Sequence, residues 1–389
     1  MQINPGGRLN IRDVVGRDNE IARYWDILAR QGLVLSAERR IGKTHIALKM
    51  LDECRKGYLP FYQDLESVHS VGELIRSVYD TINQSRSRPT GLKSRLAKWS
   101  TWVPDRVGSV DLPTGDKNWQ AFLTTVFDDL MEISDGNVML LLWDEFPLML
   151  HNLQGRHGPQ LTIELLNHLR ALRLAHADKL RFLFTGSIGL HLVLRKLQKA
   201  GNKNDPVNDM LSLTVPPMAP QHTCDLATAL LDSTLAPPEH IPALASQIAA
   251  EVGGFPYYVH HVVDQLHQLH RPVNLEDVTA AVNTLIYDPH DPANLNNYIS
   301  RLSSYYDDAE RALALILLDI MAARSSPAHV SVLANLSRYR DPSLSDDQVR
   351  DTLKLLAEDH YVTPHQTADG MAYDFRWQLV KRWWKETRL

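Results

Sequence analysis

The chain has 389 residues, 44% of them hydrophobic and 22% charged, with a formal net charge of −5. This balance excludes a disordered chain and a molecule built throughout as a polycation for nucleic acid, and the length suffices for two or three domains. Cys54 and Cys224 make neither a disulfide framework nor a zinc-ligand pattern.

Residues 1–13 lack the apolar core of a signal peptide, and the most apolar run, 138–143, falls far short of the roughly 20 residues that span a bilayer. A soluble, cytoplasmic protein without a membrane partner is expected.

Strand and helix signals alternate through the first half, which predicts an α/β domain with a parallel sheet. Residues 32–36 form a short apolar strand, and 43–54 carry helical periodicity through Ile46, Ala47, Met50 and Leu51. A second strand is expected at 59–64, a helix at 71–82 and a third strand at 138–143 between Gly136 and Pro147. A helix over 161–175 places Leu165, Leu166, Leu169 and Leu172 on one face, and the fourth strand is 181–185.

Between 84 and 118 the pattern lapses. Pro89, Gly91, Pro104, Pro113 and Gly115 punctuate it, and seven Lys/Arg stand against three Asp, as in a basic surface insertion. A segment rich in Pro, Asn and Asp, 201–220, closes the α/β part. Beyond it the signals turn helical, at 223–231, 241–251, 257–269 and 275–285.

After Pro289 and Pro292, helices are expected at 295–305 and 309–323, then three short elements at 330–336, 346–359 and 361–363. Met371 to Phe375 reads as the return strand of a β-wing whose turn is 367–370. The expected division is a P-loop core over 1–220, a helical lid over 221–290 and a winged helix-turn-helix-like domain over 291–389.

The strongest local signal is the loop Ala37-Glu38-Arg39-Arg40-Ile41-Gly42-Lys43-Thr44, followed by His45. A strand runs into a glycine-containing turn and a helix starts at Lys43, so backbone N–H groups and the helix N-terminus form a concave anion site. In such a loop Lys43 reaches the β- and γ-phosphates of ATP and the Thr44 hydroxyl ligates Mg²⁺. The usual pattern opens with glycine where this chain has Ala37, which tolerates the turn only with negative φ. Taken alone, Gly-Lys-Thr in a βα turn also arises by chance.

The apolar strand 138–143 delivers Asp144-Glu145 to its carboxyl end, where open α/β sheets bind ligands. Asp144 is the expected holder of the Mg²⁺ shell, and Glu145 the group that orients and deprotonates the attacking water. The fourth strand ends in Thr185-Gly186-Ser187. Thr185 and Ser187 are both candidates to meet the γ-phosphate or the water, and Ser187 is equally a helix N-cap candidate.

Val15-Gly16-Arg17-Asp18-Asn19-Glu20, the loop 37–44, Asp144-Glu145 and Thr185-Gly186-Ser187 together resemble the STAND branch of AAA+ ATPases. More narrowly, they resemble the archaeal-type ATPases related to the Orc/Cdc6 initiators. Gly253-Gly254-Phe255-Pro256-Tyr257-Tyr258 is similar to that group's glycine-proline motif, and the likeness spans about residues 10 to 285.

The resemblance implies that Val15 and Gly16 lie against the adenine with Arg17 close by, and that Pro256 closes over the base. The plain alternative for residues 253–256 is an inter-helix turn. Many relatives carry a Gly-Arg pair where this chain has Pro206-Val207-Asn208-Asp209, and that arginine acts on a neighbour's γ-phosphate. Arg170, Arg173 and Arg195 are the candidate substitutes, against the simpler reading of a solvated basic face.

His260, His261, His267 and His270 share one predicted helix, but no cysteine or carboxylate completes a metal site, and packing or surface roles are preferred. Trp377, Trp383 and Trp384 lie among Lys381, Arg382, Lys385 and Arg388, a mixture that suits nucleic-acid contact or helix packing. In 301–389 acids outnumber bases, which favours a protein partner over DNA there. The basic insertion, with Arg86, Arg88, Lys93, Arg95 and Lys98, is the better candidate for nucleic acid.

The leading expectation is an ATP-binding and hydrolysing switch that controls assembly with an unidentified partner protein. It would form ATP-dependent homo- or hetero-oligomers, in regulation or anti-phage defence. The alternative is an Orc/Cdc6-like DNA-binding ATPase that loads or remodels a DNA complex.

Overall fold

A computed structural model describes residues 1–7, 9–84, 119–134, 136–232 and 234–389, so the basic insertion lies outside the described residues apart from its first position. The chain divides into two compact units. One joins Asn19–Ser36 to Lys43–Thr214, and the other joins Met1–Asp18, Ala37–Gly42 and Val215–Leu389.

The first unit is built on five strands: β1 (Gly32–Ser36), β2 (Tyr58–Asp64), β3 (Val138–Asp144), β4 (Leu180–Thr185) and β5 (Met210–Thr214). They lie in the order β2-β3-β4-β1-β5, each pair parallel. In β4 every residue is buried, and in β3 every residue after Val138 is. That burial is why both read as unbroken apolar runs rather than alternating strands.

Trp143, Phe146, Phe182 and Phe184 stack inside this unit, with ring centroids 4.1 Å apart for Phe146 and Phe184 and 5.0 Å for Trp143 and Phe182. Such pairs add about 0.5–1.5 kcal/mol each beyond their buried area. The aromatic block anchors the carboxyl ends of β3 and β4, from which the acidic pair and Thr185 emerge.

The 201–220 segment contains β5, which the sequence reading left out. It pairs with β1 from Gly32↔Met210 to Ser36↔Thr214. It is short, half exposed and crowded by Pro206 and Pro216, so its period-2 signal is weak. The helices Trp119–Ile133, Phe146–His157 and Leu190–Lys199 were likewise unassigned from sequence. Phe146–His157 follows the acidic pair at once, with Pro147 in its first turn, a position proline tolerates.

The second unit carries the helices Pro220–Leu230, Ile241–Val252, Pro256–His267 and Leu275–Tyr287. Next come Asn297–Tyr305, Asp308–Ala322, Val330–Arg340, Asp346–Glu358 and Gln378–Arg388. Strands β6 (Ala328–His329), β7 (Val362–Thr367) and β8 (Gly370–Phe375) form an antiparallel sheet in the order β6-β8-β7. The β7–β8 hairpin turns at 367–370, on Gly370 at φ 115°.

Asn274, Asp307 and Ser345 each close a capping box at a helix start, worth about 1 kcal/mol apiece. Gly254, at φ 86°, is required locally, because a Cβ there would lie 2.6 Å from the Met218 carbonyl oxygen.

Trp383 and Trp384 are buried, and Trp384 donates to Asp319 at 2.9 Å. Lys381 donates to Asp374, Arg382 to Glu251 and Asn283, and Arg388 to Asp319. Packing thus accounts for these tryptophans and for three of the bases on the last helix. His260 is buried, its Nδ1 accepting the Asn4 amide at 3.2 Å, and His261 sits edge-on to Tyr257. Among the described residues no helix is long and apolar enough to cross a membrane.

Candidate functional site

Strand register brings the predicted acids and hydroxyls together. Leu35 pairs with Thr185 and Trp143 with Phe184, so the carboxyl ends of β1, β3 and β4 lie side by side in the middle of the sheet. The helix Lys43–Asp52 starts at Lys43, whose side chain is buried. Its N-terminus adds the partial positive charge and orphan N–H groups that favour an anion.

Four donors converge on Asp144. The Thr44 hydroxyl donates to Oδ2 at 2.6 Å and the Tyr62 hydroxyl to the same oxygen at 3.2 Å. The Thr185 hydroxyl and the Glu145 amide, at 3.1 Å, donate to Oδ1. Thr185 therefore acts as a holder of Asp144. Tyr62 was not anticipated; its signal lay in β2, whose register against β3 pairs Asp64 with Asp144 and Tyr62 with Leu142.

Glu145 sits in the left-handed region at φ 55°, directly after the strand. Its Oε2 accepts the Ser187 amide at 2.9 Å and the Ser187 hydroxyl at 2.7 Å. Burial raises its carboxyl above the usual carboxylate range, the two Ser187 bonds and Lys43 oppose this, and Asp144 adds to it. A carboxylate made more basic and held at one oxygen leaves the other to accept a proton.

Ser187 is not the N-cap of the following helix, a place taken by Gly189 without a side-chain cap. Gly186 is fixed by packing, since a Cβ there would lie 2.7 Å from Pro147 Cδ.

One hydroxyl, Thr44, and one carboxylate, Asp144, 2.6 Å apart, form an all-oxygen donor set. Mg²⁺ is commonly held by one or two protein oxygens alongside substrate phosphates and waters. The donor chemistry fits.

The loop entrance, 37–42, belongs to the other compact unit. Ala37 keeps out of the left-handed region; the positive φ falls on Arg40 at 68° and Gly42 at 101°. Glu38 and Ile41 are buried, whereas Arg39 and Arg40 are exposed. Arg17, also buried, donates to the Ile41 carbonyl at 2.9 Å and to the Pro216 carbonyl at 2.8 Å. It braces the loop through its backbone. The Arg40 guanidinium lies 4.6 Å from the Tyr257 ring centre.

Glu38, expected among the nucleotide contacts, accepts the Trp377 indole N–H at 3.0 Å and the Tyr298 hydroxyl at 3.4 Å. Gly16 is pressed against His222, with no room for a Cβ, and Val15 beside it is half-buried. Pro256 opens its helix with Phe255 as N-cap. His45 is half-buried on the first turn of the helix Lys43–Asp52.

Arg173, weighed as a substitute arginine finger, is committed elsewhere. It is buried and donates to both oxygens of Asp209, at 2.7 and 2.8 Å, and to the Pro206 carbonyl at 2.7 Å. Burial works against the Asp209 carboxylate, but Arg173 outweighs it and holds the group below its ordinary range. The stretch 206–209 thus receives an arginine rather than supplying one. Arg170 stands 3.9 Å from the same carboxylate.

A parallel five-stranded sheet, with a phosphate-loop sequence after β1 and an acidic pair ending β3, defines an α/β P-loop fold of the AAA+ type. No protein-family model matches the sequence, and no curated protein matches it either. Solved structures do match in fold. The Walker-type ATPase of Pyrococcus abyssi aligns with a TM-score of 0.62 at 14% identity, over 99% of each chain. The Aeropyrum pernix ORC2 protein in its ADPNP–ADP complexes aligns with a TM-score of 0.52 at 14% identity, over 96% of this chain and 95% of that one.

Proposed function

We propose that the chain is a Mg-ATP-dependent ATPase of Orc/Cdc6-like architecture. The observation that carries this is the hydroxyl-bound Asp144 beside a Ser187-held Glu145, at the carboxyl edge next to Lys43 and Thr44. Lys43 would hold the phosphate chain, and the Thr44 hydroxyl and the Asp144 carboxylate would hold Mg²⁺. Bound Mg²⁺ supplies charge neutralisation on the phosphate oxygens.

The free oxygen of Glu145 takes a proton from water as the water oxygen bonds to the γ-phosphorus. The bond to the ADP oxygen breaks and leaves its electron pair there. Val15, Gly16 and Pro256 are proposed to border the base, and the divisions 1–220, 221–290 and 291–389 to be the functional domains.

The test compares wild type with Glu145→Gln and Lys43→Ala. Glu145→Gln is expected to keep nucleotide affinity and lose turnover by about 10²–10⁴-fold; Lys43→Ala is expected to lose affinity. Unchanged phosphate release in both variants would sink the assignment.

The likeness to the ORC2 fold supports the Orc/Cdc6-like reading, in which the chain would load or remodel a DNA complex with a winged-helix-like domain at 291–389, ahead of a STAND-type partner switch. One surface favours the second reading. On the helix Asp346–Glu358 the exposed charges are Asp346, Asp347, Asp351 and Glu358 against Arg350 and Lys354. Arg350 pairs with Asp347 and Lys354 with Glu358. Asp346 pairs with Arg338, so the face is only weakly acidic, but it offers phosphates no surplus of positive charge and suits a protein partner better than DNA. Salt-dependent duplex binding at low ionic strength, weakened by neutralising Lys93, Arg95 and Lys98, supports the DNA reading; no binding there leaves the partner switch.

A further inference from the structure

Glu38 is the most deeply buried charged group of the loop entrance, 2% exposed, and its carboxylate accepts hydrogen bonds from two side chains of the carboxyl-terminal part of the chain. Both come from far along the chain, and both are hydrogen-bond donors: the Trp377 indole N–H, 3.0 Å from Oε1, and the Tyr298 hydroxyl, 3.4 Å from Oε2. A buried carboxylate with dedicated donors on each oxygen is costly to strip of either, so its position is strongly set.

The donors are themselves fixed. Tyr361 donates to the Tyr298 carbonyl at 2.7 Å. Arg301 donates to Asp359 at 2.6 Å, both nearly inaccessible to solvent. Trp377 meets Phe255 edge to face at 4.4 Å, and Arg376 lies over its ring at 5.2 Å.

The same loop is held at two further points within this compact unit: Arg40 by the Tyr257 ring and the Ile41 carbonyl by Arg17. Phe255 and Tyr257 flank Pro256, and Trp377 is the residue before the last helix, Gln378–Arg388. The loop entrance, the 253–258 turn and the last helix are therefore joined by side chains that converge on residues 38 to 41.

We propose that Glu38 is a positioning residue, which sets the phosphate-loop entrance through Trp377 and Tyr298 and reports nucleotide occupancy to the last helix through the Trp377 hydrogen bond. This rests on the reading of 37–44 as a nucleotide-binding loop. A phosphate held at Lys43 and Thr44 bears on residues 38–42 through the backbone that joins them, and the Trp377 N–H is bonded to Glu38 on that segment.

The experiment uses the full chain labelled with 5-fluorotryptophan, with the Trp377 fluorine resonance assigned by its loss in Trp377→Phe. Mg-ADP and Mg-ADPNP are titrated in, and binding is followed independently with a fluorescent ADP analogue. The Trp377 resonance is expected to shift with the same isotherm as binding. In Glu38→Ala the shift at Trp377 is lost and the dissociation constant rises about tenfold. Glu38→Gln, which keeps an acceptor for the indole and preserves packing should the alanine variant not fold, restores most of both.

A Trp377 resonance that stays still while the ADP analogue binds normally overturns the positioning role and leaves the nucleotide reading intact. Absence of any binding overturns both. A rise in dissociation constant in Glu38→Ala without change in the Trp377 response also overturns it, because a purely structural loop residue behaves in that way.

Discussion

Glu38→Gln separates a buried charge from the hydrogen bonds that surround it. Burial pushes the Glu38 carboxyl up from 4.5 to about 7; Arg301 and the Trp377 bond pull against this, Asp359 adds to it, and Arg376 lowers it. Tyr258 and Tyr298 also face the group, each itself pushed up by burial and by Glu38.

A carboxyl whose folded pKa lies above its unfolded value binds more protons when folded. Its contribution is then fully present below about 4.5 and is lost as pH rises towards about 7. At 1.36 kcal/mol per unit, the difference sets a ceiling of about 3 kcal/mol on the stability lost. For a unit of this size that corresponds to roughly 6–12 °C in melting temperature.

Glutamine keeps a carbonyl for the Trp377 indole and an amide group that Tyr298 can accept from, but it carries no charge at any pH. Paired thermal and urea denaturation from pH 4.5 to 8.5 is the assay. Wild type is expected to lose stability relative to Glu38→Gln up to about pH 7 and to run parallel above it. Parallel curves over the whole range would refute the raised carboxyl and the burial that causes it.

Ser187→Ala removes one of the two donors on Glu145 Oε2 and leaves the amide. Hydrogen bonds to charged groups contribute about 1.5–3 kcal/mol, so kcat is expected to fall at least about tenfold with KM little changed; an unchanged kcat argues that Glu145 needs no anchoring. Arg173→Ala strands Asp209 without its bidentate partner. Breaking such pairs costs about 3–5 kcal/mol when fully buried, discounted here to about 2–4 because Asp209 is partly exposed. Urea unfolding should show that loss; stability within 0.5 kcal/mol of wild type, as is usual for surface substitutions, would deny Arg173 its structural role.

Much of the first unit was legible because its determinants are local. The apolar run of β3 and the loop before Lys43 announce themselves over a few residues, and the acidic pair falls where a parallel sheet delivers ligands. β5 escaped because it is a short edge strand inside a proline-rich stretch. Tyr62 escaped because its role depends on register between two strands about eighty residues apart in sequence. Glu38 looked like a phosphate-loop residue by position, and only the fold reveals that residues 298 and 377 claim its carboxylate. Long-range polar pairing of this kind leaves no periodic trace in a sequence.

The Ala37 departure raised the question of where the loop places its backbone strain. It falls on Arg40, whose φ of 68° is left-handed although the residue is not glycine. That conformation costs an L-residue roughly 1–2 kcal/mol. The Tyr257 ring, 4.6 Å from the guanidinium, returns about 0.5–2 kcal/mol through the cation–π interaction, the lower figure applying to exposed groups such as this one. The contact offsets only part of the strain, leaving a net cost of up to about 1.5 kcal/mol for an arginine where glycine is the default.

The two substitutions at this site must therefore differ. Arg40→Gly gives up the ring contact and the strain together, and its stability is expected to stay within about 1 kcal/mol of wild type. Arg40→Ala gives up the contact and keeps the strain, so it is expected to be less stable than Arg40→Gly by about 1 kcal/mol. Urea denaturation of the pair resolves that order. Equal stabilities for the two variants would mean that Arg40 does not hold a left-handed backbone, and that its contact with Tyr257 offsets nothing.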